Sequence, residues 1–254
     1  MRPLISIVTA VTDSPIWVEL LIKSIRLFTD IKHEIIVIDN CSLPENLIWL
    51  KKQKDIRLIS NTVNLGHGGA MDQGTELANG DYVCHMDSDS HFQRSGWDKD
   101  IIALYKEDPL TRLVCKGGPI HIGRPVHPPI FFYESDFILD NKLSFKHLKG
   151  VPKSTDTAQK TYWDILDLGF KVKLFARGPQ VYTLVGGDEI WINNKPTMYH
   201  HHYGTRLRYH GNNNWKWHGW KLPQSEITRH EKRTVGLFKQ PQVKQIMKGE
   251  KPCF

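Results

Sequence analysis

The stretch GDYVCHMDSDSHF, residues 80 to 92, sets two carboxylates, Asp87 and Asp89, one residue apart at the end of an apolar run. Tyr82, Val83, Cys84 and Met86 suit the interior of a sheet, and on an extended chain a spacing of two sends both carboxylates to the same side. Like charges held together repel. The arrangement therefore calls for a hard cation bound through the carboxylate oxygens, a hydrogen-bond network, or a turn whose aspartates cap their own backbone. Other groups able to do chemistry are Asp13, Asp39, Asn64, Asp156 and the run His200, His201, His202 ahead of Arg206. If that run is a strand, His200 and His202 share one face and His201 takes the other, so the three cannot all serve one site.

The elements that must position these groups can be read from the apolar pattern. LISIVTAV (4 to 11) is a strand closed by the turn-forming TDSP, and Pro15 suits the first turn of a helix whose apolar face runs Ile16, Leu20, Leu21, Ser24, Ile25, Phe28. HEIIVIDN (33 to 40) is a second strand followed by a helical stretch through Trp49, IRLISN (56 to 61) a third strand, GGAMDQGTELA a helix, and DYVCHMD a fourth strand. Strands alternating with helices at this spacing predict a parallel sheet with crossover helices, and such a sheet binds ligands at the carboxyl ends of its strands. Asp13, Asp39, Asn64, Asp87 and Asp89 all fall at or just past such ends. Beyond residue 115 the rhythm changes to a segment rich in Gly, Pro and His, then a helix with Thr155 or Asp156 as its cap, a glycine stop and a further strand. QVYTLV and TMYHHHYGTRL read as later strands.

Composition narrows the setting. The 254 residues are 40% hydrophobic and 24% charged, which excludes disorder, and no linker divides them. Cys41, Cys84, Cys115 and Cys253 lie far apart without a CxxC pair, so neither a zinc ribbon nor a disulfide framework is indicated and a reducing cytoplasm is expected. The opening apolar run is too short for a signal core, and no run reaches the roughly 20 residues of a membrane span. Charge is uneven: from Arg206 onward there are 11 Lys/Arg against 3 Asp/Glu, a net of +8, while the other 205 residues sum to 23 minus 24, or −1. A basic tail is a solvated face or a footprint for an anionic partner.

Taken in order, IVTAVTDSP, IIVIDNCS, NLGHGGAMDQG and GDYVCHMDSDS resemble the family 2 glycosyltransferases with the GT-A fold, over about residues 4 to 100 and by weaker signals beyond. The resemblance implies a Rossmann-like, mostly parallel sheet flanked by helices in a single domain. Residues 1–115 would hold the sugar nucleotide, 116–205 would form the acceptor side, and 206–254 would be a basic, tryptophan-bearing tail. It implies a DxD motif at Asp87-Ser88-Asp89 holding Mn²⁺ or Mg²⁺ against the donor diphosphate, with Asp89 on the metal and Asp87 nearer the ribose or the metal waters. Asp39 would read the base, Thr9, Ala10 and Val11 would line the pocket through their backbone, and Asn64 and Gly66 would shape a loop beside base and ribose. Matching HxYGTR puts a further metal ligand at His201, with His202 second, and Arg206 on the diphosphate. Asp72 stands where the family usually has Asn, and His91 reads as a loop residue.

The general base implied for an inverting displacement is Asp156 at the start of its helix, with Glu134, Asp136, Asp188 and Glu189 as competitors. The donor expected is a nucleoside diphosphate sugar, UDP-linked first. The acceptor expected is a cell-surface or lipid-linked glycan, reached from the cytoplasm with peripheral membrane contact. A hydroxylated base in DNA is the alternative acceptor, with Trp215, Trp217 and Trp220 among lysines to hold an exposed base. A non-enzymatic nucleic-acid-binding protein would account for the tail but not for the polar strand ends. The GxGG spacing of residues 66–69 lacks the dinucleotide fingerprint, and TAVTDSP lacks the glycine-rich loop of a nucleotidyltransferase.

Overall fold

In a computed structural model, residues 4–118, 125–150, 156–175, 187–201, 207–209, 215–217 and 224–252 are described. His202, Arg206, Trp220, Thr155 and the QVYTLV segment lie outside them. The chain runs β1 (Ile5–Val11), α1 (Pro15–Phe28), β2 (His33–Asn40), α2 (Pro44–Lys51), β3 (Arg57–Asn61), α3 (Gly66–Leu77), β4 (Tyr82–Asp87) and β5 (Ser90–Phe92). It continues α4 (Trp97–Lys106), β6 (Thr111–Gly117), β7 (Val126–Glu134), α5 (Ser135–Asp140), α6 (Gln159–Asp167), β8 (Lys171–Phe175), β9 (Asp188–Ile192) and β10 (Lys195–His200). The last elements are β11 (Leu207–Tyr209), β12 (Trp215–Trp217), α7 (Gln224–Lys239) and α8 (Pro241–Lys248).

Seven strands form one sheet in the order β3-β2-β1-β4-β7-β6-β8. The pairs β1–β2, β1–β4, β2–β3 and β6–β8 are parallel, and only β7 runs antiparallel to its neighbours β4 and β6. The near-continuous apolar runs of the central strands follow from this, because a sheet with crossover helices is buried on both faces. Ile5, Ile7, Cys84 and Met86 pack with α1 and α4 on one face, through Leu21, Ile25, Trp97 and Ile101. Val8, Ile36 and Val83 meet Ala70 and Met71 of α3 and Ile165 of α6 on the other.

The mostly parallel sheet and its strand-helix order agree with the sequence pattern through β4. One difference is local. α6 begins at Gln159, preceded by Ala158 at φ 63°, so Asp156 stands a turn ahead of the helix and accepts a hydrogen bond from the Thr157 amide through Oδ1 at 2.8 Å. Gly169, at φ +83°, follows the helix as the pattern required.

The smaller strands matter more for function. β5 leaves the main sheet after a two-residue turn and joins β10, which also pairs with β9, in a three-stranded antiparallel sheet. At the C-terminal end, Val243 and Ile246 of α8 are buried with the α1 face of the core, and Lys23 of α1 donates to the Met247 carbonyl. Phe238 of α7 sits against Trp17 of α1 with ring centroids 5.1 Å apart.

The glycines of NLGHGGAMDQG serve packing. A Cβ on Gly68 would lie 2.3 Å from the Phe145 carbonyl oxygen and 2.6 Å from its carbon, both backbone atoms, so α3 can approach the 144–146 segment only without a side chain there. Asp72 holds the same segment: its Oδ1 accepts from the Phe145 amide at 2.7 Å and its Oδ2 from the Ser144 hydroxyl at 2.6 Å. The Asp at this departure from the family pattern thus fixes a loop. Gly68→Ala should lower stability by about 1–3 kcal/mol despite the better helix propensity of alanine, because the overlap falls on backbone. An unchanged or raised urea midpoint would show that the segment yields freely.

Candidate metal and nucleotide site

Asp87 is the last residue of β4, and Ser88 and Asp89 form the turn into β5, so the two aspartates are not strung along one extended strand. They are brought together by a third group. Nε2 of His200, at the end of β10, lies 3.4 Å from Oδ2 of Asp87 and 3.4 Å from Oδ1 of Asp89. Register explains the placement. Ser90 of β5 pairs with His200 of β10, and the His201 amide donates to the Asp89 carbonyl at 3.0 Å, which fixes the strand end against the turn.

Charge is balanced tightly here. Burial alone would lower the pKa of His200, but the carboxylates of Asp89 and Asp87 outweigh it and push it up to about 9. Burial would likewise raise Asp87, yet His67, then His200 and His127, hold its carboxyl well below the usual carboxylate range. His67, in the first turn of α3, places Nε2 3.2 Å from Oδ1 of Asp87. The His127 ring, near the start of β7, lies 5.5 Å from that of His200. An imidazolium thus stands between the two carboxylates, where a cation is electrostatically favoured.

The donor set fits a divalent ion. One ligand atom from each of Asp87, Asp89 and His200 lies within 4.8 Å of the others, close enough for three ligands to share one centre. Two carboxylate oxygens and one neutral imidazole nitrogen suit Mn²⁺, and Mg²⁺ less well because of the nitrogen. Such an ion would replace the His200 proton.

The structure brings His200 to the aspartates and sends His201 the other way. His201 is fully buried with its ring 4.8 Å from that of Trp17. His91 is a buried residue of β5 and no loop residue; its ring packs 5.6 Å from Tyr199, and burial, then the charge of His201, lowers its pKa to about 3.

The other strand ends gather on the same rim. Ala10 of β1 is in register with Asp87, and Val11 with Asp39. Val11 belongs to the α1-side core and Thr9 is buried as well, so both leave only backbone at the rim. Asp39 is buried and accepts from the Ser42 amide at 3.2 Å. Asn40, which pattern reading passed over, donates to Asn64 Oδ1 at 2.9 Å and to the Gly66 carbonyl at 3.3 Å, and accepts from the Leu65 amide at 2.9 Å. It ties the 64–66 loop to the end of β2. Asp13 accepts from the Leu43 amide at 2.6 Å and from Asn46 at 3.0 Å, which anchors the start of α2 to the β1 exit.

The carboxylates considered as bases separate by position. Glu134 pairs with Tyr82 at the first residue of β4, and Asp136 follows it. At about 3.3 Å per residue that rim is roughly 17 Å from Asp87. Glu189 pairs with Tyr199, on the face opposite His200, and its Oε2 accepts from Trp191 at 3.3 Å. Asp188 pairs with His200 itself and forms an ion pair with buried Lys116. Asp156 precedes Gln159, whose side-chain Nε2 donates to the Val126 carbonyl at 2.9 Å, so the start of α6 is stitched beside His127.

Residues 6–151 match the family described as glycosyl transferase family 2. An uncharacterized glycosyltransferase of Haemophilus influenzae is 31% identical over 115 residues, 44% of this chain and 36% of that protein, so the match spans little more than a third of the relative's length. The mannosyltransferase PcManGT from Pyrobaculum calidifontis, solved with GDP-Man and Mn²⁺, superposes with a TM-score of 0.53 at 18% identity, over 71% of this chain and 56% of that one. S. aureus TarS 1-349 in complex with UDP-GlcNAc gives a TM-score of 0.46 at 20% identity, over 57% of this chain and 49% of the other. At these identities the likeness to solved structures is one of fold. With the family match extending over more than half of its residues, on a seven-stranded sheet of the GT-A kind, the chain belongs to glycosyl transferase family 2.

Proposed function

We propose that the protein transfers a sugar from a nucleoside diphosphate sugar to an acceptor hydroxyl, with inversion at the anomeric carbon. The observation that carries this reading is the convergence of Asp87, Asp89 and His200 at the carboxyl rim of a family 2 sheet. When bound, Mn²⁺ or Mg²⁺ would neutralise charge on the departing diphosphate. In this reading Asp39 and the Asn64–Gly66 loop hold base and ribose, and the β1 exit contributes backbone groups around them. Ser88 closes the turn that sets the two carboxylates, and His202 and Arg206 remain candidates to complete the diphosphate side. The Mn²⁺ and GDP-Man held by the mannosyltransferase of the same fold support the class of donor.

Asp156 is assigned as the base. Its carboxylate takes the acceptor proton as the acceptor oxygen bonds to the anomeric carbon, and the bond from that carbon to the diphosphate oxygen breaks with its electrons on the leaving group. The acceptor class favoured is a glycan, with UDP-sugars first in a donor screen by thermal shift. A donor at about 100 times its dissociation constant adds roughly 2.7 kcal/mol of stability, which such a screen reads easily.

Metal dependence is the direct check. Asp89→Asn should cut transfer by about 100-fold or more with the fold intact, as loss of one oriented charge in a reaction centre does. His200→Ala should raise the Mn²⁺ concentration needed for half-maximal rate, whereas His201→Ala should act mainly on stability through Trp17. Full turnover in excess EDTA would remove the metal assignment.

The base is tested separately. Asp156→Asn should lower transfer by about 10²–10⁴-fold while donor binding by calorimetry stays within error, because the base acts on the acceptor in the transition state. Wild-type rates in that variant would shift the role to Asp188, the carboxylate that shares a face with His200.

A further inference from the structure

The outward face of α7 carries a cluster of cations that the transfer chemistry does not use. Ser225, Thr228, Arg229, Lys232 and Arg233 line a cavity of about 350 Å³. Their spacing of three and four residues puts them on one side of the helix, along about 12 Å of its length. The opposite side is the docked one: Thr234 and Leu237 are buried and Phe238 rests on Trp17. Among the described residues the cavity lining includes no carboxylate, and no ion pair joins Arg229, Lys232 or Arg233. Three like charges are gathered on one side of a helix whose two acidic residues are Glu226 and Glu231.

We propose that this face of α7 is a docking surface for the phosphate headgroups of an anionic membrane. Two guanidinium forks beside hydroxyl donors match phosphoryl oxygens, which arginine binds through paired hydrogen bonds. Among the described residues the cavity lining offers no aromatic ring on which a nucleobase could stack, as a single-stranded nucleic-acid groove does. Val235, exposed beside the strip, is an apolar group suited to the headgroup boundary. Charge complementarity extends past the strip: from Gln224 to Pro252 the chain has 7 Lys/Arg and 3 Glu, a net of +4. Phe238, Trp17 and His201 pack in succession, with tilted rings, from the docked side of α7 to the residue after His200. The inference goes beyond glycosyl transfer, and its test reads binding alone.

The intact protein would be sedimented with vesicles of phosphatidylcholine containing about 30% phosphatidylglycerol, and with vesicles of phosphatidylcholine alone. Binding is expected only to the anionic vesicles, weakening as salt rises from about 50 to about 500 mM. The variant Arg229→Gln/Lys232→Gln/Arg233→Gln should bind them about tenfold or more weakly, since each such charge adds to the attraction of an anionic surface. The variant Lys51→Gln/Lys52→Gln/Lys54→Gln removes the same charge from the end of α2 and should lose less than about twofold if the α7 strip is the contact. Thermal unfolding of both variants near the parent value would show that binding and not folding has changed. Equal loss in the two variants would reduce the effect to net charge and overturn the proposal. So would equal binding to neutral vesicles, or displacement of the protein from anionic vesicles by a stoichiometric DNA duplex.

Discussion

Two carboxylates on a buried turn repel each other, and much of this structure is arranged around that repulsion. At the 4.8 Å that bounds the Asp87–Asp89–His200 cluster, two unit charges at an effective dielectric of about 20 repel by roughly 3–4 kcal/mol. The offset comes from His67 beside Asp87 and from His200 between the two carboxylates, and the pKa of His200, which burial alone would lower, is pushed up to about 9. Everything that sets the position of His200 follows from this need. β5 must leave the main sheet, β10 must pair with it in one register, and the turn at Ser88 and Asp89 must be held by the His201 amide. A divalent cation would meet the same electrostatic demand with more charge, and the three groups are a donor set that such an ion fits.

The first half of the molecule was legible in the sequence because its information is local. Apolar runs of strand length, proline at the start of α1 and polar groups at the strand ends each report on their own segment, and the parallel sheet follows from their alternation. The histidine was not legible in the same way. Alternation separates His200 from His201, but which face meets the aspartates depends on pairing with Ser90, some 110 residues earlier in the chain. A shift of register by one residue would exchange them, since side chains in a strand alternate with a period of two. The family motif pointed to His201; the ladder between β5 and β10 places His200 there. The competing bases were unresolved for the same reason. Nothing near Glu134 in the sequence tells that β7 runs antiparallel and so carries it to the far rim, while Asp188 is brought level with His200 by β9.

Asp72 and Asn40 show a different kind of hidden information. Asp72 reads as a departure from the family pattern and Asn40 has no role in it, yet the bonds of both run to loop residues. Such side chains set where a loop sits, and a loop that must leave room for a ligand cannot rely on apolar packing against it. Fixing it from behind, through a partly buried carboxylate or a buried carboxamide, meets that requirement. The cost of removing each polar group from water is offset because its acceptor atoms meet amide or hydroxyl donors.

The adjacent histidines 200 and 201 join two problems that could have been solved apart. One ring faces the carboxylates and its neighbour faces Trp17, and Trp17 in turn carries Phe238 of α7. The ladders of β10 with β5 and β9 do not alone fix its register, because backbone hydrogen bonds can re-form one step along, whereas packed aromatic contacts fit only one register. With His201 wedged against Trp17, sliding β10 by one residue would have to unpack a fully buried ring as well as expose the aspartates to each other. The position of His200 is therefore set twice, once by charge on one face and once by packing on the other. The C-terminal helices enter this arrangement through Phe238, so the basic segment is structurally continuous with the rim that carries Asp87 and Asp89.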